Sequence, residues 1–405
     1  MRAAAPATPM RVVAAKPRPI PTAAGGVDVR AIVETGPKRF ELAFRVSRGP
    51  VSRTSTPFLA ASLLPAMRAG EPLSIYGTVS PRLLASIPTI QGVLSAWFQR
   101  AKSIEVDAQS APEQQGPGVA CFFSGGVDSF YSVLSHLDEI SALVFVHGFD
   151  IRPREVALRA RISESLRKAA SRLGKPLIEV ETNMRTFSDR FAAWSEEYHG
   201  SALASVALLL SPQFGRFYIP ASFPPGYSVP WGSHKDLDPL WSSEATDIIH
   251  DGGDATRVEK VRFLASSEVA LQSLRVCWEN RGGHYNCGHC EKCIRTMVNL
   301  RVAGALERCT TFKNQLDLSE VARVSIPDDC ARFFIEENLQ AAKEIGDGEL
   351  VDAIARSLSR KQGGIADRIR RGDLRERFGR RIRRIAGRPT HDWELSGVAG
   401  PGQLR

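Results

Sequence analysis

Apolar and polar residues roughly alternate in two stretches near the start of the chain, 27–33 and 39–46. A period of two is typical of strands that bury one face. The turn residues Glu-Thr-Gly-Pro of segment 34–37 separate the two stretches. We therefore predict a β-hairpin in this part of the chain.

Two apolar stretches that follow, 58–67 and 80–98, predict helices. The first ends before Gly70 and the second opens with Ser80-Pro81, residue types that favour a helix end and a helix start. We interpret residues 27–116 as a small α+β accessory unit. It holds no cluster of titratable side chains, and we expect it to face a substrate or to form a homodimer.

Short apolar strands alternate with helical stretches from residue 117 onward, the order that a parallel sheet requires. The predicted strands are 119–123, 142–147, 176–180 and 216–220, and the predicted helices are 128–137, 154–173 and 199–210. We therefore predict an α/β fold with a doubly wound parallel sheet over 117–310, followed by a helical extension over 311–355. Ligands of such sheets bind in a crevice at the carboxyl ends of the strands.

The chain has 405 residues, of which 43% are hydrophobic, enough to bury a large core. Its longest apolar run, residues 202–210, is far shorter than the ~20 residues that cross a bilayer, so we predict no transmembrane segment. Residues 1–26 are rich in Ala and Pro without a sustained apolar stretch, which predicts disorder and no signal peptide. We expect a cytoplasmic protein.

The net charge of +9 is concentrated near the end of the chain. Residues 356–388 contain thirteen basic and three acidic residues, a net charge of +10, so the remainder carries −1. We interpret 356–405 as a basic, partly disordered tail. Clustered arginines supply phosphate contacts, so nucleic acid or an anionic membrane surface is a candidate partner. The alternative is a solvated or loosely docked basic helix.

The first predicted strand of the 117–310 segment runs into a Gly-rich loop and then a helix. Two glycines allow the backbone to approach an anion closely, and the N–H groups and dipole at the helix start favour negative charge. Ser124 and Ser129 add hydroxyl donors, and Asp128 can hold Mg²⁺. A plain β-turn-α corner is the alternative. The residues predicted to bind phosphates are Ser124, Gly125, Gly126, Val127, Asp128 and Ser129.

Four cysteines further along the chain have the spacing C-x9-C-x2-C-x2-C. They are Cys277, Cys287, Cys290 and Cys293. Four thiolates at such spacing predict one tetrahedral Zn²⁺ site over 277–293. An iron–sulfur cluster is the alternative, but the bacterial ferredoxin pattern has a further cysteine where this chain has Met297. A disulfide pair is a weaker alternative, because nothing in the chain indicates export to an oxidising compartment.

The loop sequence SGGVDS resembles the SGGxDS loop of the PP-loop superfamily, the ATP pyrophosphatases. Together with CGHCEKCIRT, which includes Arg295, it resembles the 7-cyano-7-deazaguanine synthases of queuosine biosynthesis. The resemblance covers about residues 117–305. The chain departs from that family in a longer first cysteine gap and in the long segment that precedes the loop.

The resemblance implies an adenine nucleotide alpha hydrolase (HUP-like) fold and cleavage of ATP into AMP and pyrophosphate. A deazapurine-like carboxylate or amide would be activated by adenylation, and ammonia or another amine would then displace AMP. In related ATP pyrophosphatases the loop after the second strand cups adenine and ribose, which implies that role for His147 and Gly148. An exposed loop is the alternative for these two residues.

Arg257 and Lys260 lie one helical turn apart in a segment dense in charged side chains. Pyrophosphate carries several negative charges, so its release calls for Mg²⁺ and one or two cationic side chains. We predict that Asp128, Arg257 and Lys260 serve catalysis. A surface ion-pair ladder with Asp254 and Glu259 is the commoner fate of such charges and is the alternative.

Two other functions share the ATP loop. One is ATP-dependent sulfur transfer to tRNA or another nucleotide modification, which would use the basic tail. It would also be expected to carry a pair of cysteines near the ATP site, where the sequence has only Cys121, in a strand. The other is a non-catalytic nucleotide sensor, in which SGGVDS would bind a nucleotide without turnover.

Overall fold

The computed structural model describes residues 8–20, 25–152, 154–224, 226–312 and 315–360. These residues form a mixed α/β structure around one sheet. The strands are β1 Met10–Ala14, β2 Arg18–Ile20, β3 Gly26–Thr35, β4 Lys38–Val46, β5 Leu73–Val79, β6 Val106–Ser110, β7 Gly118–Phe122, β8 Ala142–His147, β9 Leu177–Thr182, β10 Phe214–Pro220 and β11 Asp247–Asp251.

The helices cover both faces of this sheet and extend beyond it. They are α1 Thr56–Ala69, α2 Pro81–Trp97, α3 Val127–Ser135, α4 Val156–Arg172, α5 Met184–Ser188, α6 His199–Leu209, α7 Arg257–Leu264, α8 Glu268–Ser273, α9 Glu291–Val302, α10 Leu318–Val321, α11 Asp329–Glu344 and α12 Gly348–Ser359. No helix in the described part of the chain is long and apolar enough to cross a membrane.

The sheet is mostly parallel, with strand order β11-β10-β7-β8-β9-β4-β3-β1-β5-β6. The five strands from β11 to β9 in this order are parallel to their neighbours. Along the chain, β8 and β9 are added on one side of β7, whereas β10 and β11 are added on the other. The order therefore reverses next to β7, and a crevice for ligands is expected at the carboxyl end of that strand.

The predicted hairpin is confirmed as β3 and β4, and the two predicted helices that follow are confirmed as α1 and α2. Gly70 ends α1 in a left-handed conformation, and the hydroxyl of Ser80 caps α2 by accepting from the Leu83 amide. This region has no sheet of its own, however. β4 pairs antiparallel with β9, Phe44 opposite Thr182, so the accessory strands continue the same sheet.

Disorder was expected over residues 1–26, and this expectation is wrong for β1 and β2. β1 pairs with β3 on one side and β5 on the other, with Met10 and Val12 fully buried. The pairing partners of β1 lie 17 to 23 residues away in β3 and 63 residues away in β5. An Ala/Pro-rich composition carries no signal of such non-local pairing.

Alternate side chains of β7 enter two different apolar cores. Cys121 and Phe123 face the core that contains α3 and α4, whereas Ala120 and Phe122 face the core that contains α1 and α6. A third apolar cluster joins α9 to α11 and α12. Helix α11 and most of α12 lie in the predicted extension 311–355. Of the predicted basic tail 356–405, the structure describes residues up to 360, and the rest lies outside the described residues.

Gly148, at the end of β8, occupies a position that no other residue fits. Its φ is +95°, and a Cβ there would lie 2.0 Å from the carbonyl oxygen of Thr182 at the end of β9. The close approach of these two backbones sets the edge of the crevice. Gly148 therefore has a steric role, independent of any contact with a nucleotide.

Gly148→Ala should lower the free energy of unfolding by roughly 2–5 kcal/mol, because backbone strain and a backbone clash add. The matched control is Gly174→Ala, where φ is +69° and nothing lies within 4 Å of the added Cβ. That control carries only the strain, on the order of 1–2 kcal/mol. Urea unfolding measures both variants, and equal losses would contradict the steric interpretation.

Candidate functional site

The loop between β7 and α3 leads into a helix start that has no side-chain cap. Gly125 has a φ of +75°, and Gly126 precedes the helix in an extended conformation without a side-chain cap. The Gly126 amide lies 3.3 Å from the Ser124 hydroxyl, which in turn lies 3.4 Å from the Ser129 hydroxyl. Ser129 is buried and its hydroxyl donates to the Gly126 carbonyl at 3.0 Å, whereas Ser124 is exposed beside the helix start. Free amides at a helix start favour a nearby negative charge.

Two cations from α7 reach the first turn of α3. Arg257 donates to one oxygen of Asp128 at 2.6 Å, and Lys260 lies 3.2 Å from the other. The Lys260 ammonium also donates to the Ala221 carbonyl at 2.7 Å, at the carboxyl end of β10. All three predicted catalytic residues therefore lie together at the switch point of the sheet.

The burial of these cations rules out the surface ion-pair ladder. Arg257 is 4% exposed and Lys260 is 1% exposed. Glu259 instead forms a capping box with Thr256 at the start of α7. Burial acts to raise the pKa of Asp128, but the charges of Arg257 and Lys260 outweigh it and lower that pKa to about 2.

Three further cations near the loop were not assigned from sequence. The charge of Lys292 helps to lower the pKa of Asp128, and burial lowers the pKa of Lys292 itself. Arg295 follows one turn later on α9 and is 7% exposed. Arg275 donates its backbone amide to the Gly125 carbonyl at 2.7 Å. Lys292 and Arg295 share a helix face, and that spacing could have identified them.

The imidazole of His147 is engaged inside the protein. Its Nε2 lies 2.7 Å from Glu179 and 3.3 Å from the Ser163 hydroxyl. Burial acts to raise the pKa of Glu179, but hydrogen bonds with His147 and Ser163 lower it to about 2. The predicted contact of His147 with adenine or ribose stays a prediction. Because the imidazole is engaged, such a contact would use the backbone of His147.

The four predicted cysteine ligands lie together and are all buried. Their sulfur atoms are within 4.8 Å of one another, with Cys287 and Cys293 3.8 Å apart and Cys277 and Cys290 4.0 Å apart. A disulfide would require about 2.05 Å, so neither of these two sulfur pairs is a disulfide. Mutual hydrogen bonding lowers the pKa of Cys277 and raises the pKa of Cys290 and of Cys293, and four sulfurs this close are compatible with a bound metal ion.

Backbone geometry shapes the cysteine cluster. Gly288 adopts a φ of +78°, and the amides of Cys290 and Cys293 lie 3.3 and 3.4 Å from the sulfurs of Cys287 and Cys290. Such N–H contacts stabilise negative charge on sulfur. Cys290 is also the N-cap of α9, so the helix that carries Lys292 begins at this cluster.

Asn286 holds the first cysteine in place and was missed in the sequence. Its Oδ1 accepts from the amides of Val276 and Cys277 at 2.9 and 3.2 Å, and its Nδ2 donates to the Leu274 carbonyl at 2.9 Å. One amide side chain thereby joins the strand-like segment 274–277 to the segment that bears the other three cysteines.

No family model matches the chain, and comparisons with curated proteins and with solved structures find no match either.

Asn286→Ala should weaken the binding of Zn²⁺ about 10- to 100-fold, the range seen when the partners of metal ligands are removed. The loss follows because the Cys277 amide, and with it the Cys277 sulfur, is no longer held. Competition with a chromophoric chelator measures the affinity. Thr311→Val is the control, since it removes the 3.2 Å contact to Asn286 and a 3.5 Å contact to the Cys309 sulfur but leaves Asn286 on the Val276 and Cys277 amides. Equal affinity in all three proteins would contradict the positioning role.

Asp128→Asn should lower the free energy of unfolding by about 2 kcal/mol at pH 7, because the folded pKa of Asp128 is about 2 against an ordinary 3.8. The carboxylate contributes this stability above its unfolded pKa. It loses the contribution as the pH falls through the folded pKa. The difference between wild type and variant should therefore shrink from about pH 4 to pH 2. Urea unfolding across that range checks it, with the exposed Asp138→Asn as control.

Proposed function

We propose that this chain is an ATP pyrophosphatase-type enzyme of the PP-loop superfamily that forms a C–N bond, similar to 7-cyano-7-deazaguanine synthase. One observation carries the proposal: Arg257 and Lys260 are buried against Asp128, which lies in the first turn of α3 within the segment 124–129. Two buried cations beside an open helix start suit a ligand with several negative charges.

The proposed reaction begins when an oxygen of a carboxylate or amide attacks the α-phosphorus of ATP. The bond to the β-phosphate breaks and pyrophosphate leaves with the bonding electron pair. On an activated carboxylate a nitrogen nucleophile, ammonia or an amine, then displaces AMP and leaves an amide. A primary amide activated on its oxygen by a second ATP loses AMP and a proton instead, and a nitrile results. Arg257 and Lys260 would stabilise the charge that grows on the leaving pyrophosphate, which is a transition-state contribution.

Asp128 would hold Mg²⁺, which would supply further positive charge at the phosphate oxygens. The same carboxylate contacts Arg257 and Lys260 and so keeps both side chains beside the loop. The amides of the first turn of α3 and the hydroxyls of Ser124 and Ser129 would bind the phosphates. The protein's share of the catalysis is therefore positioning and charge stabilisation.

The four cysteines would hold Zn²⁺. A tetrahedron with Zn–S bonds of ~2.3 Å has sulfur–sulfur edges of about 3.8 Å, close to the spacings of 3.8 and 4.0 Å observed here. The short spacing favours one ion over an iron–sulfur cluster, whose ligands bind separate irons. Four thiolates leave no open coordination position, so the metal would stabilise the fold at the start of α9.

Sulfur transfer has less support than adenylation. The cysteine nearest to the loop in sequence, Cys121, is fully buried in β7, and burial raises its pKa well above the ordinary thiol value. A thiol in such surroundings is a poor nucleophile. The deazapurine-like substrate rests on the resemblance of SGGVDS and CGHCEKCIRT to the synthase family.

The test is to incubate the purified protein with ATP, Mg²⁺, ammonium and 7-carboxy-7-deazaguanine. AMP and pyrophosphate should form in equal amounts, and mass spectrometry should show the nitrile product. Formation of ADP and phosphate instead would contradict the proposal. Asp128→Ala should abolish turnover while its zinc content, measured by elemental analysis, stays that of the wild type. Loss of zinc in this variant would show that the two sites depend on each other more strongly than proposed.

A further inference from the structure

Helix α7 carries both cations that contact Asp128, so the position of its first turn decides whether they reach the loop. Two amides of this turn are satisfied within the helix start itself. Thr256 accepts from the Glu259 amide, and the Glu259 carboxylate accepts from the Thr256 amide at 2.7 Å. The amide of Val258 has no partner inside α7, because the first amides of a helix lack one.

The partner of that amide comes from the C-terminal extension. Glu337 on α11 accepts from the Val258 amide at 2.6 Å. A carboxylate at a helix start is stabilised by the amides and by the helix dipole, and such charge-assisted hydrogen bonds are short and strong. Arg257 directly precedes Val258, so this bond fixes the backbone next to the cation that pairs with Asp128.

Glu337 also lies among the buried cations. Burial raises its pKa, while the Val258 amide and the charges of Arg257 and Arg295 act in the opposite direction. Its Oε1 accepts from the Val258 amide, and its Oε2 is buried without a hydrogen-bond partner in the part of the chain that the structure describes. Among the described residues no hydrogen bond joins this carboxylate to the loop, so its role is to position and not to react.

The same face of α11 holds the other cation-bearing helix. Phe334 lies under the Arg295 guanidinium, 4.1 Å from its carbon to the ring centroid. Asn338 donates to the Arg295 carbonyl at 3.3 Å. Phe334, Glu337 and Asn338 follow a helical spacing of three and four residues and so lie on one face. α11 thus bridges α7 and α9.

We propose that Glu337 is a positioning residue of the ATP site, and that α11 is consequently part of the active site. This inference rests on the proposed function. The resemblance to the synthase family ends near residue 305, so it assigns nothing to this helix.

The first test measures the contact directly, by hydrogen–deuterium exchange at the Val258 amide. Glu337→Ala should speed this exchange at least about tenfold, whereas Glu337→Gln should stay within about threefold of wild type, because its amide oxygen can still accept. The matched control is Glu336→Ala, the exposed neighbour whose carboxylate pairs with Arg332. Should Glu337→Ala fail to fold, Glu337→Asp replaces it, since its shorter side chain cannot reach the amide.

The second test measures the consequence for the reaction. Glu337→Ala should lower kcat for AMP formation about 10- to 100-fold and change KM for ATP much less, since misplaced cations lose transition-state contacts first. Glu337→Gln should recover most of the rate. Faster exchange at Val258 without any loss of kcat would overturn the positioning role, and so would unchanged exchange.

A failure of the proposed adenylation activity can be distinguished from a failure of the positioning role of Glu337. If the wild-type protein forms no AMP with any acceptor, the adenylation proposal fails. The inference is then decided by the affinity for ATP with Mg²⁺ and by exchange at Val258. Weaker ATP binding in Glu337→Ala, with Glu336→Ala unchanged, supports the positioning role, and equal affinity in the two variants overturns it.

Discussion

The candidate site depends on the ion pairs of the partly buried Asp128 carboxylate with the buried side chains of Arg257 and Lys260. Buried charges are expensive unless each has a well-placed partner, so the three side chains fix one another. They come from α3 and α7, about 130 residues apart in sequence. The ion pairs therefore join the loop after β7 to the segment after β11, and Lys260 adds the end of β10 through the Ala221 carbonyl.

Positive charge exceeds negative charge around this carboxylate. The five cations Arg257, Lys260, Arg275, Lys292 and Arg295 face the four carboxylates Asp128, Asp150, Glu291 and Glu337. The protein thus keeps an incompletely neutralised cationic site beside an uncapped helix start. Such a site is stabilised when an anion enters, and the same excess charge that is unfavourable in the free protein becomes binding energy.

The local motifs were predictable because their chemistry lies in short spacings. SGGVDS and the four cysteines each place their functional groups within one turn or one knuckle, and the structure brings each set together. The rest depends on non-local contacts. Arg257 and Lys260 look like surface charges until α11 and β10 cover them. β1 is held by pairing with β3 and β5, and β2 by pairing with β3. The imidazole of His147 turns to Glu179 on the neighbouring strand.

The Ser124–Ser129 loop and the four-cysteine cluster are connected through the protein backbone. A variant of the loop can nevertheless leave the metal content of the cluster unchanged. Arg275 binds the Gly125 carbonyl two residues before Cys277, and α9 starts at Cys290 and carries Lys292. Coupling between two binding sites is reciprocal and typically about 1–3 kcal/mol. A structural zinc site binds with apparent free energies of about 10–16 kcal/mol. A reciprocal change of that size would leave the zinc stoichiometry intact, whereas the same change in the weaker ATP site that we propose would alter its occupancy many-fold. Loss of the metal from the cysteine cluster would therefore change ligand binding at the loop measurably, whereas ligand binding at the loop would leave the metal content of the cluster unchanged within error.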